Sequence, residues 1–157
     1  MATEILVNDG GAPARILPYT AEVALSAGQA VMASTTLASN VVLADTGVGK
    51  AVLGFALTDS AAGDIASIIT GKGVILNVQA LPATAGAALS IATAAAGQLG
   101  ATSLAALNTV TQSGTTPFAV TAVTSDFYAP CAMTLKLLQE DGTGTIATAG
   151  LWRVQTL

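Results

Sequence analysis

The chain has 157 residues, 52% of them hydrophobic and only 9% charged, with a formal net charge of −4 and no histidine. Its mean hydropathy of +0.69 suggests a membrane, yet no stretch approaching the ~18–20 residues of a spanning helix is continuously apolar. Five scattered Lys and Arg residues leave no basic footprint for nucleic acid, and one cysteine cannot form an internal disulfide.

Glu4-Ile5-Leu6-Val7 is an apolar, strand-like run, and the turn residues Asn8-Asp9-Gly10-Gly11 follow it. Residues 1–11 therefore read as an extended arm and residues 12–157 as one β-rich body. The first residues lack a basic and apolar leader pattern, so no signal peptide is expected. Beyond the arm, short apolar runs punctuated by Gly and small polar residues predict strands at Ile16–Thr20, Val23–Leu25, Ala30–Met32, Val41–Ala44, Ala51–Thr58 and Ile65–Thr70. Further runs follow at Gly73–Gln79, Ala88–Ile91, Phe118–Val123, Met133–Gln139 and Thr145–Val154. Alternation is clearest where Val74, Leu76 and Val78 oppose Ile75, Asn77 and Gln79. Glu140-Asp141-Gly142-Thr143-Gly144 reads as a hairpin loop, and Ser103–Asn108 as one short helix capped by Thr102 or Ser103. The expected fold is all-β: a single compact β-barrel or β-sandwich of short strands, with at most one or two short helices.

Ala-Gly recurs ahead of predicted strands at Ala27-Gly28, Ala62-Gly63 and Ala85-Gly86. Each reads as a tight turn with glycine at positive φ that delivers the chain into a strand. The spacings are unequal, which argues against a solenoid.

Residues for chemistry are scarce. Without histidine there is neither a Ser-His-Asp triad nor a His-based metal site. Cys131 lies between Pro130 and Ala132 with no base or cation near it in sequence, so it reads as a buried small hydrophobe. Thr46-Gly47-Val48-Gly49-Lys50-Ala51 superficially resembles a phosphate-binding loop, but Ala44 and Ala51 stand where Gly and Ser or Thr are required. Asp59 with Asp64, and Glu140 with Asp141, are carboxylate pairs in turns, where solvation of the turn is the ordinary role. No cofactor, metal or catalytic residue is expected. The positive signal is the charge deficit: a surface this poor in Lys, Glu and Asp suits a chain that covers its faces with partners.

Val52-Leu53-Gly54-Phe55-Ala56, Ala61-Ala62-Gly63-Asp64-Ile65-Ala66, Gly71-Lys72-Gly73-Val74, Ala85-Gly86 and Ala96-Gly97-Gln98-Leu99 follow in order, after Leu25-Ser26-Ala27-Gly28. This succession resembles the capsid cement, or head decoration, proteins of tailed bacteriophages over about half of the chain. Residues 101–157 carry no part of the likeness. The resemblance implies a small β-rich body on the outer surface of the virion's head that binds the major capsid protein, often as a homotrimer, without enzymatic activity. Contacts with the shell are expected from Ile5, Leu6 and Val7, where an arm adds a strand to a neighbour's sheet, and from Phe127 and Tyr128. Neither nucleic acid nor membrane is an expected partner. The rival reading is a carbohydrate-binding or adhesin domain with Phe127, Tyr128 or Trp152 exposed around a groove. A carboxylate-pair hydrolase would need Asp59 or Asp64 in a cleft beside another acid. An ice-binding surface would need a regular threonine array, which Thr35, Thr36, Thr115 and Thr116 do not form.

Overall fold

The computed structural model describes residues 11–45, 51–84, 87–91, 95–101, 109–113, 119–124, 132–134, 145–146 and 148–156. The architecture is all-β, and no helix occurs among the described residues. The strands are β1 Arg15–Ala21, β2 Ala30–Ala33, β3 Asn40–Leu43, β4 Gly54–Ala56, β5 Ile65–Thr70, β6 Ile75–Ala80 and β7 Ala83–Thr84. The chain continues through β8 Ala88–Ile91, β9 Leu99–Ala101, β10 Thr109–Ser113, β11 Ala119–Thr124, β12 Ala132–Thr134, β13 Thr145–Ile146 and β14 Gly150–Thr156.

Ten of these strands close into two five-stranded rings. Barrel 1 runs β1-β3-β2-β4-β5 and barrel 2 runs β12-β14-β6-β9-β8. The remaining four form two-stranded pairs, β10 with β11 and β13 with β7. A ring with an odd number of strands cannot alternate in direction all the way round. Each barrel accordingly contains one parallel contact: Thr20 with Asn40 and Ala21 with Val41 in barrel 1, and Ala80 with Leu99 in barrel 2.

A five-stranded lumen is narrower than the eight-stranded ones that just accommodate full side chains. Barrel 1 meets this limit with Ala21, Ala56 and Ala66 among Leu25, Val31, Val41 and Ile68 inside it. Its alternate positions, Ala30, Met32, Phe55 and Ile69, face outward, yet they too are buried. They join one continuous cluster with Leu76, Val78, Ala80, Leu89, Leu99 and Val154 of barrel 2. β2 and β4 of barrel 1 are thus apolar on both faces and read as unbroken runs, whereas β6 alternates: Leu76, Val78 and Ala80 are buried, and Ile75, Asn77 and Gln79 only half so.

The Ala-Gly turns organise this arrangement. Gln29 N–H donates to the Ser26 carbonyl, Asp64 N–H to Ala61 and Gln98 N–H to Ala95, at 3.1–3.2 Å. In all three turns glycine takes the third position with φ between 76° and 90°, namely Gly28, Gly63 and Gly97. This is the type II turn, which needs φ > 0 at that position. Each glycine N–H then reaches an alanine carbonyl on another part of the chain: Gly28 to Ala56, Gly63 to Ala21 and Gly97 to Ala44, at 2.7–2.8 Å. The turns lie 35 and 34 residues apart (positions 28, 63 and 97). The nearly even spacing becomes visible only when Ala96-Gly97 replaces Ala85-Gly86, two residues that lie outside the described ones.

Three expected strands are corrected. Val23–Leu25 is no strand: Val23 projects into solvent and only Leu25 forms a bridge, to Ser60. Ala51–Thr58 contributes only Gly54–Ala56 to the ladder. Thr145–Val154 is two strands separated by a bend, where the Trp152 ring N–H donates to the Thr148 carbonyl at 2.9 Å. The compact all-β fold expected from the sequence is present; it contains two five-stranded barrels, one cluster filling barrel 1 and a second joining its outer wall to barrel 2. The expected helix at 103–108, the hairpin loop at 140–144 and Cys131 lie outside the described residues.

Candidate interaction surface

Among the described residues no group of three or more His, Cys, Asp or Glu is placed to hold a metal ion. Asp59, one half of a sequence-level carboxylate pair, has a structural partner instead. Its Oδ1 accepts the Ala27 N–H at 2.8 Å and so pins the Ser26–Gln29 turn to the segment after β4. Asp64 is exposed at the start of β5. Among the described aromatics, Phe55 is buried, and Tyr19 and Trp152 are half-buried against the two core clusters. Among the described residues no helix is long and apolar enough to cross a membrane.

Glu22 follows β1 and meets the turn between β2 and β3. Its Oε1 accepts the Thr36 hydroxyl at 2.9 Å, and the Ser34 hydroxyl lies 3.1 Å from Thr36 Oγ1. The Ser34 and Thr36 hydroxyls hold the Glu22 carboxyl below the usual glutamate range, against a smaller opposing effect of desolvation. Ser34 Oγ also accepts the N–H groups of Thr36 and Leu37. The same turn holds Ser39 at φ 64°, the one described non-glycine residue with positive φ, and it lifts Leu37 into solvent.

Apolar side chains break the surface where barrel 2 stops covering barrel 1. On β5 the outward residues are Ile65, Ser67 and Ile69. Ile69 is buried beneath barrel 2, whereas Ile65, four residues away on the same face, is 68% exposed. Across the β1–β5 ladder, Ile16 opposes Ile69, Pro18 opposes Ser67 and Thr20 opposes Ile65. Ile16 is 48% exposed, and Leu17, Val23, Leu37 and Leu151 are exposed as well. These residues escaped the sequence reading because periodicity marks Ile16 and Ile65 as core. Only the extent of barrel 2's cover decides otherwise.

Of the shell contacts expected from sequence, Ile5, Leu6 and Val7 lie outside the described residues, as do Phe127 and Tyr128. The 1–11 arm is described only at Gly11, which lies against β6: a methyl there would come within 2.8 Å of the Ile75 nitrogen. Ala12 N–H donates to the Gly73 carbonyl at 2.8 Å, so the chain is docked on the body from this point onward. No protein-family model matches the chain, and a search of curated proteins finds no match to its sequence.

Proposed function

We propose that the chain is a structural protein of a tailed-bacteriophage head, bound to the outer surface of the shell and cementing neighbouring copies of the major capsid protein. The observation that carries this reading is a charge-poor all-β body, with only 9% charged residues, that exposes large apolar side chains, including Ile16 and Ile65 on β1 and β5, Leu37 beyond β2 and Leu151 on β14. Monomeric soluble proteins normally rely on charge for solubility, and the cores of protein interfaces are depleted in Lys, Glu and Asp. The motifs behind the family likeness support it too, since three of them, Ala27-Gly28, Ala62-Gly63 and Ala96-Gly97, are the turns ahead of β2, β5 and β9.

The physical task of such a protein is linkage. Packaged DNA strains the contacts between capsomers. A ligand that binds the assembled shell, and not its dissociated subunits, shifts the equilibrium toward assembly. Hundreds of symmetric sites make weak individual contacts sufficient. The test is co-sedimentation of the purified chain with shells assembled from the major capsid protein of the same genome. Binding to shells, no binding to dissociated subunits and a higher shell-opening temperature are expected. Failure to bind shells overturns the proposal, and glycan binding in its place would favour the adhesin alternative.

A further inference from the structure

Every strand of barrel 1 precedes every strand of barrel 2, so a single covalent link, residues 71–74, joins them at the Ile75 end of β6. Gly71 and Gly73 within that link both have positive φ, 142° and 73°. Toward the other end of β6 the barrels exchange turns. The 26–29 turn of barrel 1 reaches barrel 2, where Gln79 N–H donates to the Gly28 carbonyl at 2.8 Å and Gln79 Nε2 to the Ala27 carbonyl at 3.4 Å. The 95–98 turn, which leads into β9 of barrel 2, reaches the other way. Ala30 N–H of β2 donates to the Gly97 carbonyl, and Gly97 N–H donates to the Ala44 carbonyl beyond β3, both at 2.8 Å. The two turns also touch each other: a methyl at Gly97 would stand 3.4 Å from Gln29 Cβ and 2.8 Å from Leu43 Cδ2. A methyl at Gly28 would stand 2.5 Å from Leu151 Cδ2 and 3.3 Å from the Gln79 nitrogen. Each turn is thus seated in the opposite barrel at a glycine that leaves no room for a side chain.

We propose that these two turns form one clasp, which fixes the barrels in a single relative arrangement and opens as a unit. Apolar burial between the barrels is non-directional, and a link containing two glycines adopts many angles. Neither selects one arrangement. Hydrogen bonds given in both directions do, and they act about 20 Å along β6 from the covalent link, at ~3.3 Å per residue. Attachment at two separated points removes the hinge that the link alone would allow. The Ala62-Gly63 turn has the same chemistry, but it closes inside barrel 1 on the Ala21 carbonyl, and a methyl at Gly63 meets nothing within 4 Å. It serves as the internal control. The inference concerns the isolated chain and does not depend on shell binding.

The test is urea unfolding of the full chain, followed by circular dichroism and by the fluorescence of Trp152, the single tryptophan, on β14 of barrel 2. Both probes should give one midpoint for the parent. Gly28→Ala and Gly97→Ala should each lower the midpoint at least about twice as far as Gly63→Ala, since all three carry the positive-φ cost and only the first two lose a seat. The variant carrying both Gly28→Ala and Gly97→Ala should fall well short of the sum of the single losses, because either substitution opens the same clasp. Gly63→Ala should add fully to each of them. In the parent itself, the amides of Ala30, Gln79 and Gly97 should share one protection against hydrogen exchange to within about tenfold, a measurement that needs no variant to fold. Full additivity of Gly28→Ala with Gly97→Ala overturns the proposal. So do single losses no larger than that of Gly63→Ala, two separate midpoints in the parent, or three amides that open independently.

Discussion

Gly54→Ala probes the closure of barrel 1 directly. Gly54 sits on β4, which is held between β2 and β5 by the pairs Val31 with Gly54, Ala30 with Phe55, Phe55 with Ile69 and Ala56 with Ile68. A methyl at Gly54 would overlap the Ile69 carbonyl oxygen and stand 2.8 Å from Ile68 Cγ2 and 3.0 Å from Thr70 Cγ2. The obstacle includes backbone, and a strand paired on both sides cannot retreat from one neighbour without pressing on the other. Overpacking of this kind costs about 1–3 kcal/mol, and losing one or two ladder hydrogen bonds adds about 1 kcal/mol each. For a domain of this size that amounts to a fall in Tm on the order of 10 °C. Gly63→Ala is the control. Gly63 has φ +90° with nothing within 4 Å of the added methyl, so only backbone strain of about 1–2 kcal/mol applies. Both variants are compared with the parent by circular dichroism melting. If Gly54→Ala melts within two degrees of the parent, or Gly63→Ala proves the more damaging, the β4–β5 register described above is wrong.

Thr156→Val should destabilise by about 1–3 kcal/mol in urea unfolding, because Thr156 Oγ1 donates to the Gly71 carbonyl at 2.8 Å and accepts the buried Val74 N–H at 2.9 Å; faster hydrogen exchange at Val74 would locate the effect. Glu22→Gln should lower stability in a pH-dependent way. The native carboxyl is held below its ordinary value, so its contribution is fully present above the unfolded titration at about pH 4.3 and disappears as pH falls through the lowered native value. The urea midpoints of Glu22→Gln and the parent should therefore converge on acidification, and a gap that widens instead refutes the assignment. Deleting residues 2–9 should leave the melting temperature within a few degrees and abolish most shell binding. A truncated chain that unfolds or aggregates would place Ile5–Val7 in the core.

Local patterns foretold the strands wherever a strand is buried in the way its period implies. Ile65–Thr70 and Ala88–Ile91 have the expected bounds, and Val74 ahead of β6 with Leu76 and Val78 in it turn inward as their alternation requires. Positive φ at Gly28 and Gly63 was legible from the Ala-Gly turn chemistry. Elements held by remote partners were not. Leu99–Ala101 is three residues of weak β propensity, fixed by pairing with β8 and by one contact with β6. Val23–Leu25 has strand composition but finds no ladder. The existence of two barrels was hidden for a related reason: apolar residues at Ala30, Met32, Phe55 and Ile69 look like ordinary core positions, and nothing local shows that a second barrel covers them. The candidate surface is the converse case, since Ile16 and Ile65 resemble Ile69 in every local respect and differ only in lying beyond that cover.

The order in which the barrels are encoded has a consequence for making the protein. Barrel 1 occupies one uninterrupted stretch, Arg15 to Thr70, and can close as soon as that stretch leaves the ribosome. Barrel 2 opens with β6 and is completed by β14, the last strand of the chain, which pairs with β6 from Gly150–Ala80 to Gln155–Ile75. Until β6 to β14 have all been made, the outer wall formed by Ala30, Met32, Phe55 and Ile69 lacks its full cover, and the β6 edge that β14 will occupy has no partner. Nascent chains in this state are prone to associate with one another. Premature termination before Gly150 should therefore yield insoluble material in place of a shorter soluble protein, and slower growth at low temperature should raise the soluble yield of the full chain.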